Sequence, residues 1–295
     1  ELLANTGFNE VINNSLIKEE YSSLIDNLNN SEIIRIINSK SKNLNVLRQS
    51  LLFSGLDNIR YNQNRKITLL RLFEFGKTYH QINEKNIERQ HLQLLITGKQ
   101  EFENWNTNNR MVDFFYLKER VEHILNRLAI DVFEKKIIDS NREFSEGYTY
   151  FIKKEELVSF GKVKKKLCDF FDINLDVYAA DFNWDFILKL SRKRKVQYKP
   201  LNIYPTVRRD LSLLIDSSVL FDDLKEIAFA VDNKILKNVN LFDVYKDDKI
   251  PEGKKAYALS FVMVDEMKTL TDKRVDIVMN KIIKTYVKEF KAEIR

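Results

Sequence analysis

The chain reads as an α+β protein of two parts, an antiparallel-sheet domain over residues 1–198 and a smaller βαββαβ domain over 199–295. Three observations carry this. The last ninety or so residues order their patterns as strand, helix, strand, strand, helix, strand, the split βαβ plan. The first two hundred mix short β-branched runs with two helical stripes. Between them, Arg192-Lys193-Arg194-Lys195 and Gln197-Tyr198-Lys199-Pro200 break the pattern, and we expect a linker there.

In chain order, Gly7-Phe8-Asn9-Glu10-Val11-Ile12 reads as a helix end followed by a strand. Residues 21–28 are polar and predict surface. Glu32-Ile33-Ile34-Arg35-Ile36-Ile37 is β-branched and predicts a strand, closed by the turn cluster Asn38-Ser39-Lys40-Ser41. Leu44, Leu47, Leu51, Leu52, Leu56 and Ile59 fall at spacings of three and four, which predicts a helix over 44–61. Residues 67–76 and 91–98 predict a hairpin with a long polar loop over 81–89. Phe114, Leu117, Val121, Ile124 and Leu128 predict the clearest helix, 113–128, with Asp113 as its N-cap. The apolar faces of these two helices are the expected interface surfaces. Shorter strands follow at 132–138, 148–152, 157–160 and 177–182.

In the second part, Leu211, Leu213 and Ile215 alternate as a strand should. Residues 221–231 form a helix whose first turn holds Asp222 and Asp223, which suit the helix dipole. Strands at 239–245 and 255–264, a helix from 271 or 272 and a last strand at 290–294 complete a ferredoxin-like module. An open sheet face of this kind is suited to unstacked RNA bases.

Composition narrows the chemistry. The chain has 295 residues with 44% hydrophobic content, and no apolar run reaches the ~20 residues of a bilayer span, so we expect no membrane role. Glu1 in place of Met, without a charged-then-apolar leader, predicts a fragment or processed chain. The one cysteine, Cys168, cannot form an internal disulfide and reads as a small packed residue in a reducing compartment. With three histidines and that cysteine there is no zinc-ligand spacing, and we expect no metal site and no catalytic residue. Net charge is +6; residues 201–295 carry 17 Lys and Arg against 16 Asp and Glu, leaving +5 on residues 1–200, four of it in the 192–195 run. RNA contact would then be local, not a broad basic surface.

Three stretches carry a family resemblance: Leu47-Arg48-Gln49-Ser50-Leu51-Leu52 with Leu72-Phe73-Glu74-Phe75-Gly76-Lys77; Val177-Tyr178-Ala179-Ala180-Asp181-Phe182; and Tyr204-Pro205-Thr206-Val207-Arg208-Arg209-Asp210-Leu211-Ser212 with Leu270-Thr271-Asp272. Taken in order, they resemble the C-terminal part of the bacterial phenylalanyl-tRNA synthetase beta subunit. The resemblance implies a class II synthetase-like domain followed by a ferredoxin-fold anticodon-binding domain. It implies an α2β2 enzyme of the cytoplasm whose alpha subunit joins phenylalanine to tRNA(Phe) with ATP and Mg²⁺. The family's editing module lies upstream of this region, so tyrosine editing is not expected of it. The stand-alone alternative is an RNA-binding or scaffold protein with a degenerate synthetase fold.

The residues agree with a lost catalyst. Arg71 and Glu74 form a degenerate Arg-x-x-Glu like class II motif 2, but Gly-x-Gly-x-x-Arg and any phosphate-cradling glycine loop are missing. We therefore expect Arg71 and Glu74 to be an ion pair on the surface or at an interface, Arg48 to pair with a strand carboxylate, His123 to be a satisfied polar position, Asp265-Glu266 to be a solvated turn, and the fragment itself to hold no cofactor. For RNA, the candidates are Tyr204, Arg208, Arg209, Tyr245, Lys246 and Lys268, with Phe242 and Tyr257 as further aromatics and the 192–195 run as a backbone contact.

Overall fold

The computed structural model describes all residues except 27, 40, 42–43, 107, 131–132, 140–141, 193–197, 199, 246–249 and 295. Contacts divide the chain into two compact units, Glu1–Gln197 and Tyr198–Arg295.

In the first unit the helices are α1 (Leu2–Asn5), α2 (Leu52–Gln63), α3 (Phe114–Arg127), α4 (Lys165–Phe170) and α5 (Trp184–Ser191). The strands are β1 (Asn9–Glu10), β2 (Leu16–Ile17), β3 (Val46–Leu47), β4 (Leu70–Ile82), β5 (Lys85–Thr97), β6 (Glu134–Ile137), β7 (Phe144–Ile152), β8 (Glu155–Val163) and β9 (Val177–Asn183). Seven of them form one sheet in the order β1-β4-β5-β9-β8-β7-β6, antiparallel except for β1 beside β4. Alternation along the strands sends Phe73, Leu92, Leu94, Ile96 and Phe182 into a core with α1, α3 and α5. Leu70, Leu72, Leu95, Val177 and Ala179 enter a second core with α2 and α4 on the other face. The sheet is covered on both sides.

Several expectations change here. Residues 44–61 are not one helix: Val46–Leu47 pair with Leu16–Ile17, and α2 starts at Leu52, where the Ser50 hydroxyl accepts the Leu52 amide. The leucine spacing across that junction is coincidental. Residues 32–37 make only an Arg35–Val46 bridge after a 3₁₀ turn over Asn30–Glu32. The segment 21–28 is not all surface: Tyr21 and Ile25 are buried, and the Tyr21 hydroxyl donates to Asp57 at 3.1 Å. The long polar loop over 81–89 is a tight turn, with Asn83 and Glu84 at φ of 49° and 62° and the two strands paired up to Ile82 and Lys85. Leu117, Val121, Ile124 and Leu125 of α3, and Leu52, Phe53, Leu56 and Ile59 of α2, are buried in the unit's own cores, so their apolar stripes are not interface surface.

The second unit runs β10 (Val207–Asp216), α6 (Phe221–Val231), β11 (Leu236–Tyr245), β12 (Lys254–Met263), α7 (Asp272–Phe290) and β13 (Glu293–Ile294). Its sheet order is β11-β12-β10-β13, all antiparallel. Leu211, Leu213, Ile215, Leu259, Phe261 and Met263 pack under α6 and α7. The buried Tyr286 hydroxyl of α7 donates to the Leu224 carbonyl of α6 at 2.7 Å, tying the two helices together. Among the described residues of this unit, no helix covers the opposite face.

Candidate nucleic-acid interface

The open face of the small sheet is built by strand alternation and register. Arg208, Asp210, Ser212 and Leu214 of β10 face it. They stand opposite Val262, Ser260, Ala258 and Ala256 of β12, which in turn pair with Asn238, Asn240, Asp243 and Tyr245 of β11. Small side chains on the central strand make a shallow trough between two longer-chained flanks. At one end Ile250 covers Leu214 and Ala256 in a small buried cluster. A bulge between Leu241 and Asp243 turns Phe242 outward, half exposed, and the Arg208 guanidinium lies 5.4 Å from its ring centroid.

Arg208 also holds Asp210 in a two-point contact, Nε to Oδ1 at 2.8 Å and Nη2 to Oδ2 at 3.2 Å. That hydrogen bond and the carboxylate's charge hold the guanidinium pKa above its usual value. Arg209 points to the helix side, where its Nη2 donates to Asp272 at 2.7 Å. Neighbouring strand residues face opposite ways, so the Arg208-Arg209 pair is split between two faces.

Tyr204 precedes β10, its amide bonded to Asn202 Oδ1 at 2.9 Å, and Asn202 in turn donates to the Asp265 carbonyl. Lys268 lines a groove of about 810 Å³ at that same end with Lys234, Lys237 and Arg274. Lys237 pairs with Glu266 and Arg274 with Asp232, so the Asp265-Glu266 turn is partly engaged. Tyr204, Arg208, Arg209 and Lys268 therefore gather at one end of the module. Tyr245 pairs with Ala256 at the other end, six positions along β12 from Val262, or about 20 Å. Lys246 lies outside the described residues, as do Lys193, Arg194 and Lys195 of the basic run. Tyr257 is buried in the core, not on the open face. Sequence reasoning missed Asn238, Asn240, Lys237 and Arg274; the polar alternation Asn238-x-Asn240 was the available signal.

In the larger unit Arg71 and Glu74 are not a pair. Three positions apart on a strand, they leave opposite faces of the sheet. Arg71 donates to the Gln100 carbonyl and lies 5.4 Å from the Tyr116 ring. Glu74 is buried and accepts from Arg48 Nη1 at 2.7 Å and Asn13 Nδ2 at 2.7 Å. Arg48 thus has the strand carboxylate expected for it. Glu74 is engaged inside the unit by Arg48 and Asn13, and Arg71 is held through Nη2 by the Gln100 carbonyl on the other face of the sheet, so the two do not fit an ATP–Mg²⁺ site. His123 is exposed on α3. Cys168 is buried, and its thiol is pushed up to about 11 by burial, which suits packing and not nucleophilic work. No helix among the described residues is long and apolar enough to cross a membrane.

Comparison with known proteins fits this geometry. Residues 1–184 match the model of the phenylalanyl tRNA synthetase beta chain CLM domain, and residues 202–295 match the ferredoxin-fold anticodon binding domain. Phenylalanine–tRNA ligase beta subunits of Bacteroides thetaiotaomicron and Fusobacterium nucleatum are 39% and 33% identical over the whole of this chain. The chain spans 37% of the length of each. Among solved structures, pyrrolysyl-tRNA synthetase from Desulfitobacterium hafniense is similar in fold, with a TM-score of 0.50 at 17% identity over 65% of this chain and 66% of that one. A sheet of one parallel and six antiparallel strands joined in sequence to a one-sided anticodon-binding module, each matching its own model in the same order, places the chain in the phenylalanyl-tRNA synthetase beta-chain family.

Proposed function

We propose that this chain is the non-catalytic part of a phenylalanine–tRNA ligase beta subunit that assembles with the catalytic alpha subunit and grips the anticodon region of tRNA(Phe). The enzyme would be an α2β2 tetramer of the cytoplasm, with ATP and Mg²⁺ used on the alpha subunit. The observation that carries the reading is the ordered match of both domain models over nearly the whole chain. It supports a synthetase subunit over a stand-alone RNA-binding or scaffold protein. The internal engagement of Arg71 and Glu74 supports a scaffold that lost its nucleotide site.

On the small unit, Arg208 and Phe242 are the proposed stacking and charge contacts, with Tyr204 and Lys268 at the same end holding the backbone and Arg209, Tyr245 and Lys246 as lesser contacts. An RNA phosphate would compete with Asp210 for the Arg208 guanidinium. The test is co-expression of the tagged beta subunit with its alpha subunit, followed by aminoacylation. Co-purification and phenylalanine charging are expected, with no ATP–pyrophosphate exchange from this chain alone. Exchange by the chain alone would refute the non-catalytic assignment, and failure to co-purify would refute the subunit assignment.

A further inference from the structure

On the α2 side of the large sheet, beyond that side's apolar core, the floor turns polar and encloses a cavity of about 520 Å³. Its floor carries a continuous side-chain chain. His91 Nδ1 lies 2.8 Å from Asp181 Oδ1, and Thr78 Oγ1 lies between His91 Nε2 at 3.1 Å and His80 Nε2 at 3.2 Å. His80 Nδ1 then reaches Glu32 at 3.3 Å. Both imidazoles line the cavity, which is walled by carboxylates and guanidinium groups together and by the apolar side chains of Ile25 and Leu28.

Three buried polar atoms on residues lining this cavity have no hydrogen-bond partner among the described residues: Gln49 Oε1, an acceptor, Arg142 Nε, a donor, and His80 Nδ1, whose 3.3 Å approach to Glu32 is an ion-pair contact and not a hydrogen bond. Gln49 is 5% exposed, and its Nε2 is already committed to the Asn29 carbonyl at 3.0 Å. Its amide orientation is thereby set, and Oε1 is the free end on the cavity. Arg142 uses Nη1 on Glu156 at 2.9 Å, while Glu143 stands 3.7 Å from Nε, beyond hydrogen-bond reach. A buried polar atom left unmade costs ~1–3 kcal/mol, so two of opposite kind on one cavity call for a ligand that both donates and accepts.

We infer that this cavity binds a small amino-carboxylate zwitterion, its ammonium held by Gln49 Oε1 and the neighbouring Asp181 and Glu143 carboxylates, its carboxylate by Arg142 Nε. Ile25 and Leu28 favour an apolar side chain on that ligand. A lone amine would leave the guanidinium nitrogen unanswered, and a lone anion would meet the carboxylate wall. The proposal does not depend on the RNA reading, because the site lies wholly within the first unit.

The chain holds three histidines, two of them on the cavity and the third, His123, exposed on α3, which packs against the other face of the sheet. The histidine ring resonances of the 295-residue chain are therefore a direct readout. Titration with L-leucine or L-phenylalanine at millimolar concentration is expected to shift His80 and His91 saturably and leave His123 in place. Titrations with 1,4-diaminobutane and with inorganic phosphate are expected to give no saturable shift. Gln49→Leu and Arg142→Lys, the latter keeping a cation for Glu156, should each weaken the amino-acid response at least tenfold. The inference is overturned by unmoved His80 and His91 in the wild-type chain. It is equally overturned by the same saturable shift from the amine or phosphate alone, or by an undiminished response in both variants. Should a variant not fold, the wild-type titrations decide alone.

Discussion

The two sheets of this protein differ in how many faces they bury, and that difference sorts their polar residues by role. In the seven-stranded sheet both faces lie under cores, so a charged strand residue must find its partner inside. Glu74 does so with Arg48, the two side chains 4% and 3% exposed. In the four-stranded sheet, among the described residues of its unit, helices cover one face, and the charged residues of the other, Arg208 and Asp210, with side chains 58% and 50% exposed, are partners that a ligand can separate. The same residue types are structural in one sheet and available in the other.

The largest test of the contrast is to break the buried pair. Glu74→Gln keeps the shape but strands the Arg48 guanidinium, and denaturant unfolding should show a loss of about 3–5 kcal/mol in the first unit. Replacing both partners, Arg48→Met with Glu74→Leu, should cost less than the single change, since no uncompensated charge remains. A single change that costs nothing would mean the pair is wetter than its burial says. On the one-sided sheet the comparable buried link is neutral. Tyr286→Phe removes the hydroxyl bonded to the Leu224 carbonyl and should cost about 1–2 kcal/mol by the same measurement.

The contrast also explains what the sequence made legible. The small module was readable almost element by element: the helix over 221–231 coincides with α6, and β10 to β13 follow in the expected order. One buried face gives each strand a clean apolar alternation. The larger unit was harder because two cores erase that alternation, and because β5 begins with Lys85-Asn86-Ile87-Glu88-Arg89-Gln90, all exposed and held by pairing to β4 with no burial to mark it. The helix α5 escaped notice beside the basic run, although Asn183 caps it through the Phe186 amide and Ile187 and Leu190 have helical spacing. Arg48 was assigned a strand carboxylate from sequence alone. Arg71 and Glu74 were mispaired because a spacing of three joins residues on a helix and separates them on a strand.

The next prediction separates the two faces of β10 itself. Arg208→Ala should weaken tRNA(Phe) binding about five- to tenfold and lower the salt slope by about one, while Arg209→Ala, which faces α7, should change affinity less than twofold. Asp210→Asn frees the Arg208 guanidinium and should tighten binding about two- to threefold. Equal losses from the two arginines would mean that the open face is not the one RNA meets.

The smallest effect is on pH, and its sign differs between two histidines of the covered sheet. Burial works against charging His91, but the Asp181 carboxylate outweighs it and its pKa is raised; burial, with Arg89 nearby, lowers that of His80 despite Glu32. His91 therefore contributes stability that is full below about pH 6.5 and is lost as pH rises through its raised folded value. His80, held neutral, contributes stability present above about pH 6.5 and lost as pH falls through its lowered folded value. The two windows adjoin on either side of about pH 6.5, so the unfolding free energy should pass through a shallow maximum there, falling toward acid through His80 and toward base through His91. Ring-resonance titration should separate them, with His91 midpoint above His80. Asp181→Asn removes the charge that favours the His91 imidazolium and leaves burial to lower its pKa, so its midpoint should fall and add a second loss of stability toward acid to that of His80, making the protein more acid-sensitive. If the midpoints coincide in the wild type, the buried relay is not insulated from water, and the distinction between the covered and the open sheet fails at that point.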